Sequence, residues 1–514
     1  MRYGRNRSAL LRATIGLSVA SWLIASCSAA TTNVTAGRSN QRVPATEVSP
    51  PITPDTATPP TDSTPTTNDG TGGDSARGVG DVLFPDLGNP GIDVTHYDLD
   101  LTYNDSTHLL NAIATLSITA TGDLVDFSLD SVGPKIDGVK LGTSVATFDQ
   151  RGPELVIIPA STIIEGTAFD VAVTYSLKPD PSGSPAGIQN GWFPTTRGSY
   201  VINEPDGART WLPSNDHPSD KATYRFALHV GAGETGVANG ALVDHTTSAT
   251  GETWIWNQPE AMATYLIQVI TGPYDIVDSV GPNGLPLSSA VLTADHALMQ
   301  PFVDVAGEQI DFFDNYFGPY PLSSYGIAMT DSFEGLAMEE QGRSLFSRDD
   351  FLSGRLGSTE QLLLSHELVH QWFGDAVTPS MWQDIWLNES FATYGEWMWL
   401  EHIGEMSVVD RANGELEHRH DGSTATGKPG VDAMFGYEVY DGGAVVLQAL
   451  RLTIGDLAFF QTLQTWVKDN VGTSRSTTDF IALVEKVTGA DLTQFFKDWL
   501  FATDLPQQFP AALR

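Results

Sequence analysis

Residues 365–375 read SHELVHQWFGD and contain His366-Glu367-Leu368-Val369-His370, an H-E-x-x-H motif inside an apolar run. Histidines four residues apart lie on the same face of an α-helix, so both imidazoles can bind one metal ion. The pattern therefore predicts a helix from Gln361 to Phe373 that presents His366 and His370 to zinc. A buried histidine pair beside an exposed glutamate is the alternative interpretation.

A third protein ligand is expected, because a catalytic zinc ion usually takes three side chains and one water. Glu389, nineteen residues beyond His370, is the candidate. A second helix, predicted from Glu389 to Ile403, can turn back antiparallel to the first and bring this carboxylate to the metal. The sequence thus predicts one Zn²⁺ per chain, bound by His366, His370 and Glu389.

Glu367 is next to a ligand without being one itself. It is placed to take a proton from an attacking water and to deliver it later to a leaving amine. Zinc would lower the pKa of that water and polarise the carbonyl under attack, and the resulting oxyanion needs a hydrogen-bond donor opposite the metal. Asp375 and Asn388 are candidates for orienting the ligands from behind. Together these residue types indicate metal-assisted hydrolysis of an amide bond.

The spacing of apolar residues along the sequence differs between the two halves of the chain. From about residue 92 to 275, alternating runs such as 96–103 and 114–119 predict antiparallel strands and a β-sandwich-like domain. After about residue 290 the period is helical. Besides the two helices given above, helices are predicted at Met299 to Phe317, Phe459 to Val467, Thr478 to Val487 and Leu492 to Leu500.

The length and charge of the chain limit its architecture and its partners. With 514 residues the chain is too long for a single hydrophobic core, so two or three domains are expected. Its 27 basic and 63 acidic residues give a formal net charge of −36. No nucleic-acid partner is expected, because phosphates need a basic surface, and the charge is interpreted as promoting solubility.

The single cysteine, Cys27, excludes an internal disulfide framework. Residues 1–12 carry four arginines, a short apolar run from Ala13 to Ala25 follows, and Cys27 comes directly after small residues. This is the pattern of a secretory signal, and it resembles the lipobox of bacterial lipoproteins. The alternatives are an ordinary secretory signal with an incidental cysteine, or an uncleaved anchor, although the apolar run is shorter than the roughly 20 residues that span a bilayer.

Residues 28–80 are rich in Thr, Pro, Ser, Asp and Gly and cannot bury enough apolar area to fold. The sequence therefore predicts a signal peptide at 1–26 and a flexible stalk at 27–80, tethered to the membrane by lipid on Cys27. The folded part would then lie outside the cytoplasm, on a bacterial cell surface.

The zinc motif, with Glu389 after eighteen intervening residues, resembles the aminopeptidase N-like gluzincin family. The resemblance covers about residues 85–505. It includes the stretches His370-Gln371-Trp372-Phe373-Gly374-Asp375, Trp386-Leu387-Asn388-Glu389, His96-Tyr97-Asp98-Leu99, Glu204-Pro205-Asp206-Gly207-Ala208-Arg209, Trp211-Leu212-Pro213, Lys221-Ala222-Thr223 and Met262-Ala263-Thr264-Tyr265.

The resemblance implies a multi-domain α+β fold. An N-terminal antiparallel β-sandwich-like domain (81–278) would precede a mainly helical, thermolysin-like catalytic domain (279–514) that carries a small sheet, with the active site in the cleft between them. The expected activity is removal of N-terminal residues from peptides with free N-termini.

The resemblance also implies roles for residues outside the zinc motif. The family's G-A-M-E-N motif corresponds to Leu336-Ala337-Met338-Glu339-Glu340, so Ala337 and Met338 would face the substrate backbone. Glu339 and Glu204 would bind the free α-ammonium group. Tyr440 matches the family's catalytic tyrosine and would donate to the oxyanion, with Tyr437 as the rival candidate and core packing as the alternative for either.

Several positions depart from the family pattern. Leu336 and Glu340 replace the usual Gly and Asn and would narrow or re-aim the strand edge, and Gly442 replaces a basic residue. The chain is expected to be a short form without the large C-terminal helical domain of many relatives, which predicts a more open site. An endopeptidase or dipeptidyl-releasing variant is therefore a second reading, and a non-catalytic surface binding module is a third.

Overall fold

The computed structural model describes residues 78–419, 424–503 and 506–510. The predicted signal segment at 1–26, the lipidation site Cys27 and the predicted stalk up to residue 77 lie outside the described residues. In these three ranges, no helix has the length and hydropathy that crossing a membrane requires.

The first part of the fold, residues 92–272, is built from β-strands. In chain order these are β1 (Ile92–Asn104), β2 (Leu109–Ala120), β3 (Phe127–Asp130), β4 (Lys135–Leu141), β5 (Ser144–Val145), β6 (Thr147–Arg151), β7 (Glu154–Ile158), β8 (Ala168–Leu177), β9 (Ser182–Gly183), β10 (Gln189–Thr195), β11 (Gly198–Ile202), β12 (Lys221–Val230), β13 (Thr235–Ala238), β14 (Ala241–Thr247), β15 (Glu252–Ala263) and β16 (Val269–Gly272). They form an eight-stranded sheet (β14-β15-β12-β1-β2-β8-β4-β5), a five-stranded sheet (β13-β16-β11-β10-β9) and a three-stranded sheet (β3-β7-β6).

Strand β1 illustrates why this region forms sheets. Its side chains alternate, so Tyr97, Leu99 and Leu101 are buried while the residues between them are exposed or half-buried. Leu99 lies opposite Ala114 of the antiparallel neighbour β2 and opposite Phe226 of β12. The expected sheet-rich N-terminal domain is confirmed. Its β1–β12 pair is parallel, which the long connection between these strands permits.

The second part begins with strands β17 (Tyr274–Val280) and β18 (Pro286–Leu292), followed by β19 (Ile327–Thr330), β20 (Ala337–Met338) and β21 (Ser344–Ser347). They form one sheet in the order β17-β18-β19-β21-β20, with β20 at its edge. β22 (Val377–Pro379) and β23 (Thr473–Arg475) pair separately. The expected domain boundary after residue 278 falls inside β17, and the chain changes sheets between Gly272 and Tyr274.

The rest of the second part is mainly helical, as expected. The α-helices are α1 (His296–Phe317), α2 (Ser358–Val369), α3 (Trp386–His402), α4 (Val408–His418), α5 (Asp441–Ile454), α6 (Asp456–Asn470), α7 (Thr477–Thr488) and α8 (Thr493–Trp499). Helix α2 ends at Val369, four residues before its predicted end. The chain turns back there, because Gly374 adopts a φ of 130° and the Asp375 N–H donates to the His370 carbonyl at 3.0 Å.

Glycines let three helices approach one another around the site. A Cβ on Gly395 of α3 would lie 2.5 Å from the Val369 side chain of α2. A Cβ on Gly443 of α5 would overlap the Ser390 hydroxyl of α3, directly beside Glu389. Glycine is therefore required at both positions for α2, α3 and α5 to pack as closely as they do.

Polar contacts hold the two parts together along an interface that we call the domain seam, between residues 92–272 and residues 274–510. The buried guanidinium of Arg343 donates to the Ala238 carbonyl at 2.7 Å and lies over the Trp256 ring. Gln268 donates to the Glu340 carboxylate at 2.6 Å. Glu340, which replaces an amide of the family motif, therefore points its carboxylate at the domain seam.

Residues 81–89 form a strap across the domain seam. The Asp81 carboxylate accepts from the Trp382 main chain at 2.6 Å and lies 3.3 Å from His217 Nε2. Phe84 packs edge-on against Trp382, and the Asn89 N–H donates across to Asn215 of the first part. The strap thus contacts both parts, and Trp382 lies just before α3.

Candidate metal centre and active site

His366, His370 and Glu389 meet between helices α2 and α3. The histidines occupy the end of α2, and Glu389 lies in the first turn of α3. Glu389 Oε2 is 3.3 Å from His366 Nε2 and 3.4 Å from His370 Nε2, and their possible ligand atoms all lie within 4.8 Å of one another. Burial opposes the charge of Glu389, but the facing histidines lower its pKa to about 2. Two imidazoles and a charged carboxylate fit a single zinc ion.

The second nitrogen of each imidazole, Nδ1, faces a hydrogen-bond acceptor on the side away from the metal site. His366 Nδ1 lies 2.6 Å from Glu396 Oε1, and His370 Nδ1 lies 3.2 Å from the Phe373 carbonyl oxygen. Both acceptors favour a proton on Nδ1, which leaves each Nε2 free to bind a metal. The sequence interpretation missed Glu396, although it follows Glu389 by two helical turns and therefore shares its face of α3.

The side chains of Asn388 and Asp375, which were expected to orient the ligands, do not hydrogen-bond to either imidazole. Asn388 donates to the Tyr265 hydroxyl at 3.3 Å. Both carboxylate oxygens of Asp375 are buried and, among the described residues, have no hydrogen-bond partner. Burial, reinforced by the nearby Glu339, raises the pKa of Asp375 well above its usual range. By direct contact, Glu396 and the Phe373 carbonyl are the groups that orient the imidazoles.

Glu367 is buried next to the ligands. One of its carboxylate oxygens, one of Glu339 and a nitrogen of His370 lie within 4.8 Å of one another. Burial raises the pKa of Glu367 to about 8, against the opposing effect of His366 and His370. A glutamate at this place can exchange a proton with a group bound at the metal site.

Glu204 and Glu339 bring two more carboxylates to the same cavity. Glu204 follows β11 in the first part, and Glu339 follows the edge strand β20 in the second. Oxygens of Glu204, Glu339 and Glu389 lie within 4.8 Å of one another. The Oε1 atoms of Glu204 and Glu339 are buried and, in the described part of the chain, lack a hydrogen-bond partner. Burial raises the pKa of both carboxyls, and in Glu204 the proximity of Glu339 adds to the effect. In their charged form, two such carboxylates are stabilised by a cation bound between them.

The strand edge that leads to Glu339 is fixed relative to helix α2. Ala337 and Met338 pair with β21 on one side only, so their other side can accept an extended chain. Gln371 donates to the Glu339 carbonyl at 2.8 Å, which ties this edge to the residue after His370. Leu336, expected to narrow the edge, is buried in the hydrophobic core.

The two candidate tyrosines have different surroundings. The Tyr440 ring stacks on His366, with centroids 5.9 Å apart and planes 13° apart. Burial raises the Tyr440 pKa well above its usual range, so its hydroxyl remains a donor. The Tyr437 hydroxyl donates instead to Glu415 at 2.9 Å. The structure therefore brings Tyr440, and not the Tyr437 hydroxyl, to the metal centre.

The missing basic side chain at Gly442 has a local explanation. A Cβ at this position would lie 2.5 Å from Glu438 Oε2. That oxygen accepts from both Nε and Nη2 of Arg419, at 2.9 and 2.7 Å. The buried Arg419–Glu438 pair thus occupies the space that a side chain at Gly442 would need.

Profiles of known protein families match both parts of the chain. The profile described as Peptidase M1 N-terminal domain matches residues 94–266, and that described as Peptidase family M1 domain matches residues 302–499. A probable aminopeptidase 1 of Sulfurisphaera tokodaii is 24% identical over 81% of this chain and 54% of its own length. Aminopeptidase N of Streptomyces lividans is 26% identical over 80% of this chain and 50% of its own. The chain thus spans about half the length of these curated relatives.

Solved structures match over nearly their whole length. An M1 zinc metallopeptidase from Deinococcus radiodurans is 30% identical, with a TM-score of 0.75, and the match covers 85% of this chain and 100% of that one. A mutant of the Deinococcus enzyme bound to a Tyr-Ser-Ala substrate is 29% identical, with a TM-score of 0.74, over 84% and 99%. The resemblance inferred from the motifs is confirmed: this chain belongs to the M1 family of zinc metallopeptidases.

Proposed function

We propose that this protein is a zinc-dependent aminopeptidase that removes N-terminal residues from peptides with a free α-ammonium group. The observation that carries the proposal is the pair of buried carboxylates, Glu204 and Glu339, next to the ligand Glu389. Their unpaired oxygens are suited to a positive charge. A free N-terminus held there would place the first peptide bond near Glu367.

Each residue of the site has a role in this proposal. His366, His370 and Glu389 would hold one zinc ion, which when bound polarises the scissile carbonyl and activates water. Glu367 takes the proton of the attacking water and returns it to the leaving amine.

The remaining residues position the substrate and stabilise its charge. The Tyr440 hydroxyl donates to the oxygen that becomes negative. The free edge of Ala337 and Met338 aligns the substrate backbone. The aminopeptidase names of the curated relatives and the substrate-bound Deinococcus structure support the proposed aminopeptidase activity.

Replacing Glu339 with glutamine should lower kcat/KM for free-amine substrates about 10- to 100-fold, the equivalent of one charge-assisted hydrogen bond. Hydrolysis of N-acetylated counterparts, already slow, should not fall further, because these lack the ammonium group. The measurement is a panel of aminoacyl-coumarins and their acetylated forms. Glu340→Gln, a neighbouring change at the domain seam, is the matched control.

Two outcomes of the panel would contradict this proposal. Efficient cleavage of acetylated substrates would indicate an endopeptidase, because the N-terminus would then not be anchored. A zinc-loaded protein that cleaves neither set would indicate a binding module that has kept the fold. A wild type that cleaves only free-amine substrates and stops when zinc is chelated would support the aminopeptidase.

We further propose that the enzyme acts on the outer side of a bacterial membrane, held there by lipid on Cys27. Wild-type protein should incorporate labelled palmitate and sediment with membranes, whereas Cys27→Ala should remain unlabelled because its thiol is absent. Ser26→Ala, which keeps the cysteine and a small residue before it, is the control. Equal labelling of wild type and Cys27→Ala would contradict the anchor.

A further inference from the structure

We infer that Lys221 and Tyr265 are positioning residues that hold the zinc ligands from across the domain seam, an inference that rests on the proposed zinc-dependent function. Both belong to the first part of the fold, whereas the three metal ligands belong to the second. Neither was assigned a role by the sequence. Both side chains act on the segment that follows His370.

The segment after His370, residues 371–376, folds back on its own histidine, and we call it the return loop. The Phe373 carbonyl faces His370 Nδ1 at 3.2 Å, and the Asp375 N–H donates to the His370 carbonyl at 3.0 Å. At Gly374, a Cβ would lie 3.4 Å from His370 Nδ1. The orientation of the imidazole therefore depends on where the return loop lies.

Lys221 fixes one end of the return loop. It is the first residue of β12, and its buried side-chain nitrogen donates to the Asp375 carbonyl at 2.6 Å and to the Thr378 hydroxyl at 2.8 Å. The Thr378 hydroxyl itself donates to the same Asp375 carbonyl at 3.1 Å. These bonds tie the loop to the eight-stranded sheet.

Tyr265 connects the loop to the third ligand. Its buried hydroxyl donates to the Gly374 carbonyl at 3.2 Å and accepts from the Asn388 amide at 3.3 Å. Asn388 immediately precedes Glu389, so one hydroxyl touches both the loop behind His370 and the start of the segment carrying Glu389. The Tyr265 ring also packs edge-on against Trp382, just before α3.

Lys221 and Tyr265 thus set the relative position of His370 and Glu389 without hydrogen-bonding to either ligand. Groups behind metal ligands typically affect metal affinity 10- to 100-fold when they are removed. Loss of the Tyr265 hydroxyl removes the contact to the return loop and the contact to Asn388 together, and loss of the Lys221 donor leaves the Asp375 carbonyl with the Thr378 hydroxyl alone. Zinc affinity is therefore the property that these two side chains should control.

The test measures the zinc dissociation constant of Tyr265→Phe and Lys221→Met by competition with a chromogenic chelator. We expect each variant to bind zinc about 10-fold or more weakly than wild type. Tyr224→Phe is the matched control, because it also removes a buried hydroxyl that donates to a carbonyl, that of Met262 at 3.2 Å. Lys221→Arg, which keeps a donor at the loop, should bind zinc more tightly than Lys221→Met, and Tyr265→Phe carries the test if the methionine variant does not fold.

Thermal unfolding of the metal-free proteins separates positioning from general destabilisation. Tyr265→Phe and Tyr224→Phe should lose similar metal-free stability, while only Tyr265→Phe loses zinc affinity. Zinc binding equal to wild type in folded Tyr265→Phe and Lys221→Met, or an equal loss in Tyr224→Phe, would overturn the inference. Wild-type protein that binds zinc but cleaves no free-amine peptide would overturn only the proposed function. The inference would stand, because zinc affinity is measured without catalytic turnover.

Discussion

Replacing Glu367 with glutamine should lower kcat about 10³- to 10⁴-fold and leave zinc affinity close to that of wild type. Glutamine has the same shape but cannot take a proton from the attacking water or return it to the leaving amine, and such proton transfer contributes up to about 10⁴-fold. Zinc should remain bound, because the ligands are His366, His370 and Glu389. The measurement is steady-state hydrolysis of aminoacyl-coumarins together with zinc content.

Glu360→Gln is the matched control for this change. It lies on the same helix, α2, where its carboxylate accepts from the Gly357 main chain at 3.1 Å, and glutamine can make the same cap. Its kcat should stay close to wild type. A Glu367→Gln enzyme that retains most of its activity would show that another group moves the proton, and a large loss of zinc would show that Glu367 supports the metal.

Replacing Tyr440 with phenylalanine should lower kcat about 10²- to 10³-fold, the usual effect of removing one donor to a developing oxyanion. KM should change little, because the hydroxyl bond strengthens only when the carbonyl oxygen becomes negative. The phenylalanine ring can keep its stacking on His366, so zinc affinity and stability should remain close to wild type. Full kinetics on one preferred substrate separate kcat from KM.

Tyr437→Phe distinguishes the two tyrosines. Its hydroxyl bonds to Glu415, on helix α4, so its loss should lower thermal stability and leave kcat nearly unchanged. A large fall in kcat for Tyr437→Phe, with little effect of Tyr440→Phe, would reverse the assignment. Equal small effects in both would mean that a different donor faces the oxyanion.

The core of the site was predictable because it depends on helical spacing. An i, i+4 histidine pair defines one face of a helix, and Glu389 lies on the neighbouring helix that packs against it. Glu396 was accessible to the same reasoning, because it shares the face of Glu389. The fold class was predictable from the change in period between the two halves of the chain.

Contacts between distant segments could not be predicted in this way. Lys221 and the Asp375 carbonyl are 154 residues apart in the sequence, and nothing in the local pattern around either indicates the other. The same holds for Tyr265 and Asn388, 123 residues apart. Such contacts arise only when the two parts dock.

Helices α4 and α5 were not predicted from the sequence, for different reasons. Helix α5 contains Gly442 and Gly443, and glycine costs about 1 kcal/mol relative to alanine inside a helix, so its sequence is typical of a turn. Glycine is nevertheless required at Gly443, because a Cβ there would overlap the Ser390 hydroxyl. The start of helix α4 could have been predicted, because Ser407 is a typical N-cap residue. In the structure its hydroxyl accepts from the Asp410 N–H at 3.0 Å.

The buried guanidinium of Arg343 makes the two parts poor modules for exchange. Its Nη1 donates to the Ala238 carbonyl and to Gln268, both supplied by the first part, and its charge is taken out of water by docking. If residues 274–510 were joined to an unrelated N-terminal part, Arg343 would keep its Nε bond to the Ser288 carbonyl but lose the acceptors of Nη1, at a cost of about 1–3 kcal/mol or more. The catalytic part should therefore be found in evolution together with its own N-terminal β-domain, and not joined to unrelated domains.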